Sequence, residues 1–156
     1  LGIGLGIALG LKLRKSTARV FVLLSDGECN EGSVWEAAMT ASAWETNPLC
    51  AIVDFNGWQA TGRSREILSL EPLEDKWRAC GWETRRINGH DIDSLRHALS
   101  GFSKIASEGQ PLAIIADTVK GRGVSFMEDD NNWHYRIPTA EEVLQGKHEL
   151  GLQVEA

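Results

Sequence analysis

Two short polar stretches gather residue types that can do chemistry. The first reads Ser25-Asp26-Gly27-Glu28-Cys29-Asn30-Glu31-Gly32. Two glycines and several polar side chains stand there directly before a helix-like segment. Free backbone N–H groups and the helix dipole at such a point favour an anion such as phosphate. The second reads Asp54-Phe55-Asn56-Gly57-Trp58-Gln59-Ala60-Thr61-Gly62. If both stretches leave the ends of neighbouring strands, Asp26 and Asn56 converge. One carboxylate, one amide oxygen and a backbone carbonyl then make a hard oxygen set. Mg²⁺ uses such sets when phosphate oxygens complete its octahedron. A single carboxylate also suits a ligand that brings several negative charges of its own. Taken alone, Asp26-Gly27 is more often a turn former than a metal ligand. Neither common nucleotide fingerprint is present, since GxGxxG needs a third glycine and the P-loop needs GK[ST].

Other candidates are weaker. His134 ends Asn131-Asn132-Trp133-His134, and without further context it is a loop histidine. Lys120-Gly121-Arg122-Gly123 reads as a basic turn. His90, in Asn88-Gly89-His90-Asp91, belongs to a turn that leads into a helix cap. Cys29 has no base beside it and is a spectator thiol. The 3 cysteines and 4 histidines show neither CxxC nor HxxxH spacing, which excludes the usual zinc sites. An odd cysteine count builds no disulfide framework and suits a reducing, cytoplasmic setting.

The elements that must position these residues follow from hydrophobic patterning. Arg19–Leu24, Leu49–Val53, Trp82–Ile87 and Leu112–Ala116 read as buried strands. Ser33–Trp44 reads as a helix, with Ser33 and Glu36 as a capping box and Asn47-Pro48 as its stop. Leu73–Cys80 reads as a short amphipathic helix with Gly81 as its cap. Asp91 or Asp93 caps a helix that carries Ile92, Leu95, Leu99, Phe102 and Ile105 at helical spacing. Thr139 and Glu142 form a capping box for a last helix. The amino-terminal run, Leu1 to Leu13, is too short to span a bilayer. Its glycines at 2, 4, 6 and 10 suggest a buried helix pressed closely against another backbone. Strands that alternate with helices imply a three-layer, doubly wound parallel α/β sheet. Ligands bind such sheets beyond the carboxyl ends of the strands, which directs attention to the two polar stretches and to Asp117–Trp133.

The net charge of −6 gives no electrostatic footprint for nucleic acid or an anionic membrane. The 6 tryptophans therefore read as core and interface rather than as a base-stacking platform.

Asp26 and Asn56 stand 30 positions apart, the spacing of the thiamine diphosphate motif that runs from G-D-G to Asn. The surrounding strings LLSDGECNEGSVWEAAMTAS, LCAIVDFNGWQATG, INGHDI, DTVKGRGVSFME and NNWH follow one another along the chain. Together they resemble the amino-terminal half of transketolase, most closely the form split into separate chains. The resemblance implies Mg²⁺ or Ca²⁺ ligation by the Asp26 carboxylate, the Asn56 amide oxygen and the Trp58 backbone carbonyl. It places Ser25, Asp26, Gly27, Glu28, Asn56 and His134 on the thiamine diphosphate, with His134 also on the substrate side. It puts Glu31 near a subunit interface and gives Lys120-Gly121-Arg122-Gly123 a phosphate contact. Ser25 replaces the first glycine of G-D-G, and Tyr135 stands where a small residue is expected.

The resemblance further implies a single diphosphate-binding domain over residues 1–156, truncated at its amino terminus. Two-carbon ketol transfer between sugar phosphates would then need a carboxy-terminal, pyrimidine-binding half, with the halves assembled as a dimer. Alternatives are a deoxyxylulose phosphate synthase, a 2-oxo acid dehydrogenase subunit, or a non-catalytic interaction subunit.

Overall fold

The computed structural model describes residues 1–102 and 109–152. Four parallel strands form one sheet: β1 (Val20–Ser25), β2 (Leu49–Phe55), β5 (Glu83–Asn88) and β6 (Leu112–Asp117), in the order β1-β2-β6-β5. A two-stranded antiparallel hairpin, β3 (Trp58–Gln59) and β4 (Gly62–Arg63), follows β2. The helices are α1 (Gly2–Leu13), α2 (Gly32–Ala43), α3 (Ser64–Ile67), α4 (Leu73–Ala79), α5 (Ile92–Ser100) and α6 (Ala140–Glu149).

The expected three-layer parallel α/β architecture is therefore the one observed. β2 and β6 lie at the centre, and β6 is buried along almost its whole length, in keeping with its unbroken apolar sequence. One face of the sheet carries α1, α2 and α4. There Ala37, Ala38 and Ala41 of α2 let the helix sit close to Ala51, Val53 and Ile115, and Trp77 of α4 is fully buried. Trp77 packs between Trp35 and Trp82, with ring centroids 5.2 and 4.9 Å away. The opposite face carries α5, whose Ala98 meets Cys50, Phe102, Leu112 and Ile114.

Several local expectations need correction. Ser33 does not cap α2: Glu31 occupies the N-cap without a side-chain bond, because a 3₁₀ turn over Gly27–Asn30 runs almost directly into the helix. Of the two expected alternatives, Asp91 is the one that caps α5, by accepting the Asp93 N–H. Ile92 fits the apolar spacing of α5 but is 65% exposed, and Ile105 lies outside the described residues. The Thr139–Glu142 capping box and the Gly81 cap, at φ 86°, are present.

Helix α1 is buried on one side only, through Gly4, Leu5 and Ala8, while Ile3, Ile7 and Leu13 face outward. The close backbone approach expected of its glycines is not found: Gly4 alone is tightly packed, and against side chains of β1 and β2. A Cβ there would lie 2.2 Å from Val22 Cγ2, whereas Gly6 and Gly10 face open space. Gly4→Ala should thus destabilise the full-length protein by about 1–3 kcal/mol through overpacking. Gly10→Ala should stabilise it by about 0.5–1 kcal/mol through helix propensity. Urea unfolding of the two variants side by side checks the opposite signs.

Candidate cofactor and metal site

The carboxyl ends of β1, β2 and β6 lie side by side, and the register pairs Ser25 with Asp54 and Phe55 with Asp117. The loops leaving these ends meet in a cavity of about 340 Å³. Ser25, Gly27, Asn56, Trp58, Gln59, Ala60, Lys120, Asn131 and His134 line it. Of the cofactor and metal candidates read from the sequence, Ser25, Gly27, Asn56, Trp58 and His134 thus border one cleft.

Asp26, flanked by the lining residues Ser25 and Gly27, does not itself line the cavity and lies beneath it as a floor. It is fully buried, and both carboxylate oxygens accept hydrogen bonds. Oδ1 takes the Gly27 N–H at 2.8 Å. Oδ2 takes the Gly57 N–H at 3.0 Å and the Ser64 hydroxyl at 2.8 Å. Burial pushes the carboxyl above its ordinary range, and the bonds from Ser64, Gly27 and Gly57 pull it back. Three donors leave part of the acceptor capacity of a carboxylate free.

Asn56 is half-buried, and its amide has a defined orientation. Oδ1 accepts the Trp58 N–H at 2.9 Å, and Nδ2 donates to Asp54 Oδ2 at 3.4 Å. The Thr118 hydroxyl donates to the other oxygen of Asp54, linking β2 to the loop after β6.

Glu28 lies outside the cavity lining. Its carboxylate accepts the Ser25 N–H at 2.9 Å, and the Ser25 hydroxyl accepts the Glu28 N–H at 3.2 Å. The serine at the first position of the loop is therefore used to close a turn. The Cys29 thiol is buried and pushed up to about 12 by desolvation, which leaves it unreactive.

The loop after β6 folds back over the cleft. Tyr135, outside the cavity lining, donates its hydroxyl to the Ala60 carbonyl at 3.1 Å, and the Asn131 side chain donates to the same oxygen at 3.2 Å. His134 itself is exposed. At the start of the loop, His90 Nε2 accepts the Val119 N–H at 2.7 Å, so His90 tethers the segment that carries Lys120. Sequence reasoning missed this tether and the β3–β4 hairpin. The only local signal for the hairpin was the pair of glycines around Trp58–Thr61.

Two polar atoms of the lining, Gln59 Nε2 and Asn131 Oδ1, are buried without a hydrogen-bond partner. A Cβ on Gly27 would project between the Gln59 and Ser25 side chains, 3.6–3.9 Å from their atoms, so the glycine keeps a cradle open there. Unpaired buried polar atoms beside an open cradle fit a polar ligand. With Lys120 and His134 alongside, the lining is chemically suited to a diphosphate. Among the described residues no group of three or more His, Cys, Asp and Glu side chains gathers. Asp26, the Asn56 amide oxygen and the Trp58 carbonyl would together offer one carboxylate, a set that suits a divalent ion sharing phosphate oxygens.

Comparison with known proteins identifies the family. The model of the transketolase thiamine diphosphate-binding domain matches residues 12–156. The chain belongs to this transketolase family. It is 35% identical over 155 residues to an apulose-4-phosphate transketolase subunit of Phocaeicola vulgatus, covering 99% of this chain and 54% of that protein. It is 40% identical over 123 residues to the 6-deoxy-6-sulfo-D-fructose transketolase subunit SqwG of Clostridium sp., covering 79% of this chain and 44% of that protein. The chain thus spans about half the length of the curated relatives it matches. The fold agrees with the crystal structure of transketolase from Campylobacter jejuni, with a TM-score of 0.87 over 96% of this chain and 24% of that one, at 24% identity. No helix among the described residues is long and apolar enough to cross a membrane.

Among the described residues Ser64 is the one side-chain donor to the buried Asp26 carboxylate. Because the folded carboxyl lies above its ordinary range, the stability linked to it is fullest at low pH and falls as pH rises through the folded pKa. Ser64→Ala raises that pKa further. It should cost the ligand-free protein about 1–3 kcal/mol at neutral pH, and less as the carboxyl becomes protonated. Urea titrations at several pH values check this, and a deficit that does not shrink on acidification would contradict it.

Proposed function

We propose that this chain is the diphosphate-binding half of a transketolase-like transferase. It anchors thiamine diphosphate through a divalent ion and works with a carboxy-terminal half that supplies the rest of the active site. The observation that carries the reading is the convergence of Asp26 and the Asn56–Trp58 segment at one cleft, joined by the Gly57 N–H to Asp26 bond. Residues 1–156 act as one diphosphate-binding domain.

Asp26, the Asn56 amide oxygen and the Trp58 carbonyl would hold Mg²⁺ or Ca²⁺. Gly27 lets the diphosphate approach the backbone, and Ser25 and Glu28 shape the turn beneath it. Lys120 and His134 offer donors to phosphate oxygens, with His134 also facing the substrate side. When bound, the cofactor supplies the electron sink for breaking the carbon–carbon bond beside a ketose carbonyl. This chain binds and orients it. The sugars in the names of the split relatives support sugar phosphates or related ketoses as substrates, moved by two-carbon transfer between a ketose and an aldose. The naming of those relatives as subunits supports a partner half, and the halves would assemble as a dimer. The odd cysteine count suits a reducing, cytoplasmic setting, and the net charge of −6 gives no attraction to nucleic acid or an anionic membrane.

Calorimetric titration of thiamine diphosphate into the full-length chain with its partner half, with and without Mg²⁺, tests the reading. Binding should require Mg²⁺ and should be lost in Asp26→Ala and Asn56→Leu. Retained Mg²⁺-dependent binding in Asp26→Ala would sink the site assignment.

A further inference from the structure

Opposite the Asp26 floor, two segments far apart in sequence are locked together by one exposed carboxylate. Asp129 takes a positive φ of 59° and accepts both guanidinium nitrogens of Arg63, at 2.7 and 2.6 Å. The Trp58 indole N–H donates to the same carboxylate at 2.8 Å. The Arg63 guanidinium lies 3.6 Å from the centroid of the Trp58 ring. Trp58 and Arg63 face each other across the β3–β4 hairpin, so the two side chains are prearranged for one acceptor. Asp129 is prearranged too, because its own N–H closes the loop onto the Lys120 carbonyl at 2.8 Å.

An isolated surface ion pair contributes little. This one combines a bidentate fork, an indole bond and a stacked cation, and such networks hold geometry rather than merely add stability. Its neighbours are the residues of the cleft. The carbonyl of Trp58 belongs to the oxygen set for the metal, and Asn131 and His134 follow Asp129 within five residues. The Asn131 and Tyr135 bonds to the Ala60 carbonyl extend the same seam.

We infer that Arg63, Asp129 and the Trp58 indole form a clamp that positions both walls of the cofactor cleft: the Trp58 carbonyl on one side and the Asn131–His134 turn on the other. All three are positioning residues, acting through the backbone they hold. The inference rests on the cofactor reading above and deepens it. The clamp makes metal occupancy depend on the docking of the loop after β6. Breaking it loosens the divalent ion and the diphosphate together, although neither Arg63 nor Asp129 is a ligand.

The test uses the full-length chain with its partner half, thiamine diphosphate and Mg²⁺. Arg63→Met and Asp129→Asn should each raise the half-saturating Mg²⁺ concentration by about 10-fold or more, the scale of other supporting contacts around metal ligands. The double variant should be little worse than either single one, because both remove the same clamp. Arg63→Lys, which keeps the charge without the fork, should recover only part of the loss. Each single variant should also change tryptophan emission, and that change should vanish in a Trp58→Phe background.

Wild-type affinity for Mg²⁺ and cofactor in both single variants, beside normal binding by the parent protein, would overturn the clamp and leave the proposed function intact. Additive losses in the double variant would overturn it as well. Failure of the parent protein to bind thiamine diphosphate under any of these conditions would overturn both readings.

Discussion

A buried carboxylate in contact with two backbone amides and a hydroxyl is the constraint on which the rest of this cleft depends. Asp26 begins the turn after β1, yet two of its three hydrogen bonds come from the far side, from Gly57 and Ser64 beyond β2. Ionised, it is costly to bury unless those donors stay in place. The carboxylate therefore pulls the β2 loop over the end of β1 and holds it there. Everything that lines the cleft inherits its position from that closure, including the Asn56 amide and the start of the β3–β4 hairpin.

Around this floor the protein uses polar contacts of long sequence separation in place of a hydrophobic core. The Asp54–Thr118 bond, the His90–Val119 bond and the Asp129 clamp each tie the loop after β6 to a different element. Further out, Glu149 of α6 accepts both the N–H and the hydroxyl of Ser125. The loop carries little apolar burial apart from Trp133, which donates to the Phe126 carbonyl and packs on the Phe126 ring. A segment held chiefly by directional bonds keeps a defined shape while remaining at the surface, where ligands must enter.

The core side of the molecule follows another logic. Small alanines on α2 and bulky tryptophans around α4 fill one face of the sheet, and the shape match there is independent of the cleft chemistry. The exposed Phe21 and Leu23 on the edge strand β1, and the outer face of α1, show that burial in this chain is uneven. The fold is that of a domain whose strands are specified by their own apolar runs, even where a face stays open.

Much of this was legible before any coordinates. Continuous apolar strands alternating with helices announce a parallel sheet, because only strands covered on both faces tolerate unbroken hydrophobicity. The Asp26-to-Asn56 interval pointed to the candidate site through its resemblance to the thiamine diphosphate motif, and the two residues meet because they follow neighbouring parallel strands. Capping at Thr139 and the Gly81 turn were also readable, since both are local effects of a few adjacent residues. The cap of α2, the exposure of Ile92, the His90 tether and the Asp129 clamp were not. The α2 cap is displaced by the 3₁₀ turn that runs into the helix, while the tether and the clamp depend on groups 29 to 71 positions away that no local pattern names. Periodic burial is written into the chain residue by residue, whereas the direction of a polar side chain is settled by whichever donor or acceptor the packed elements bring within about 3 Å.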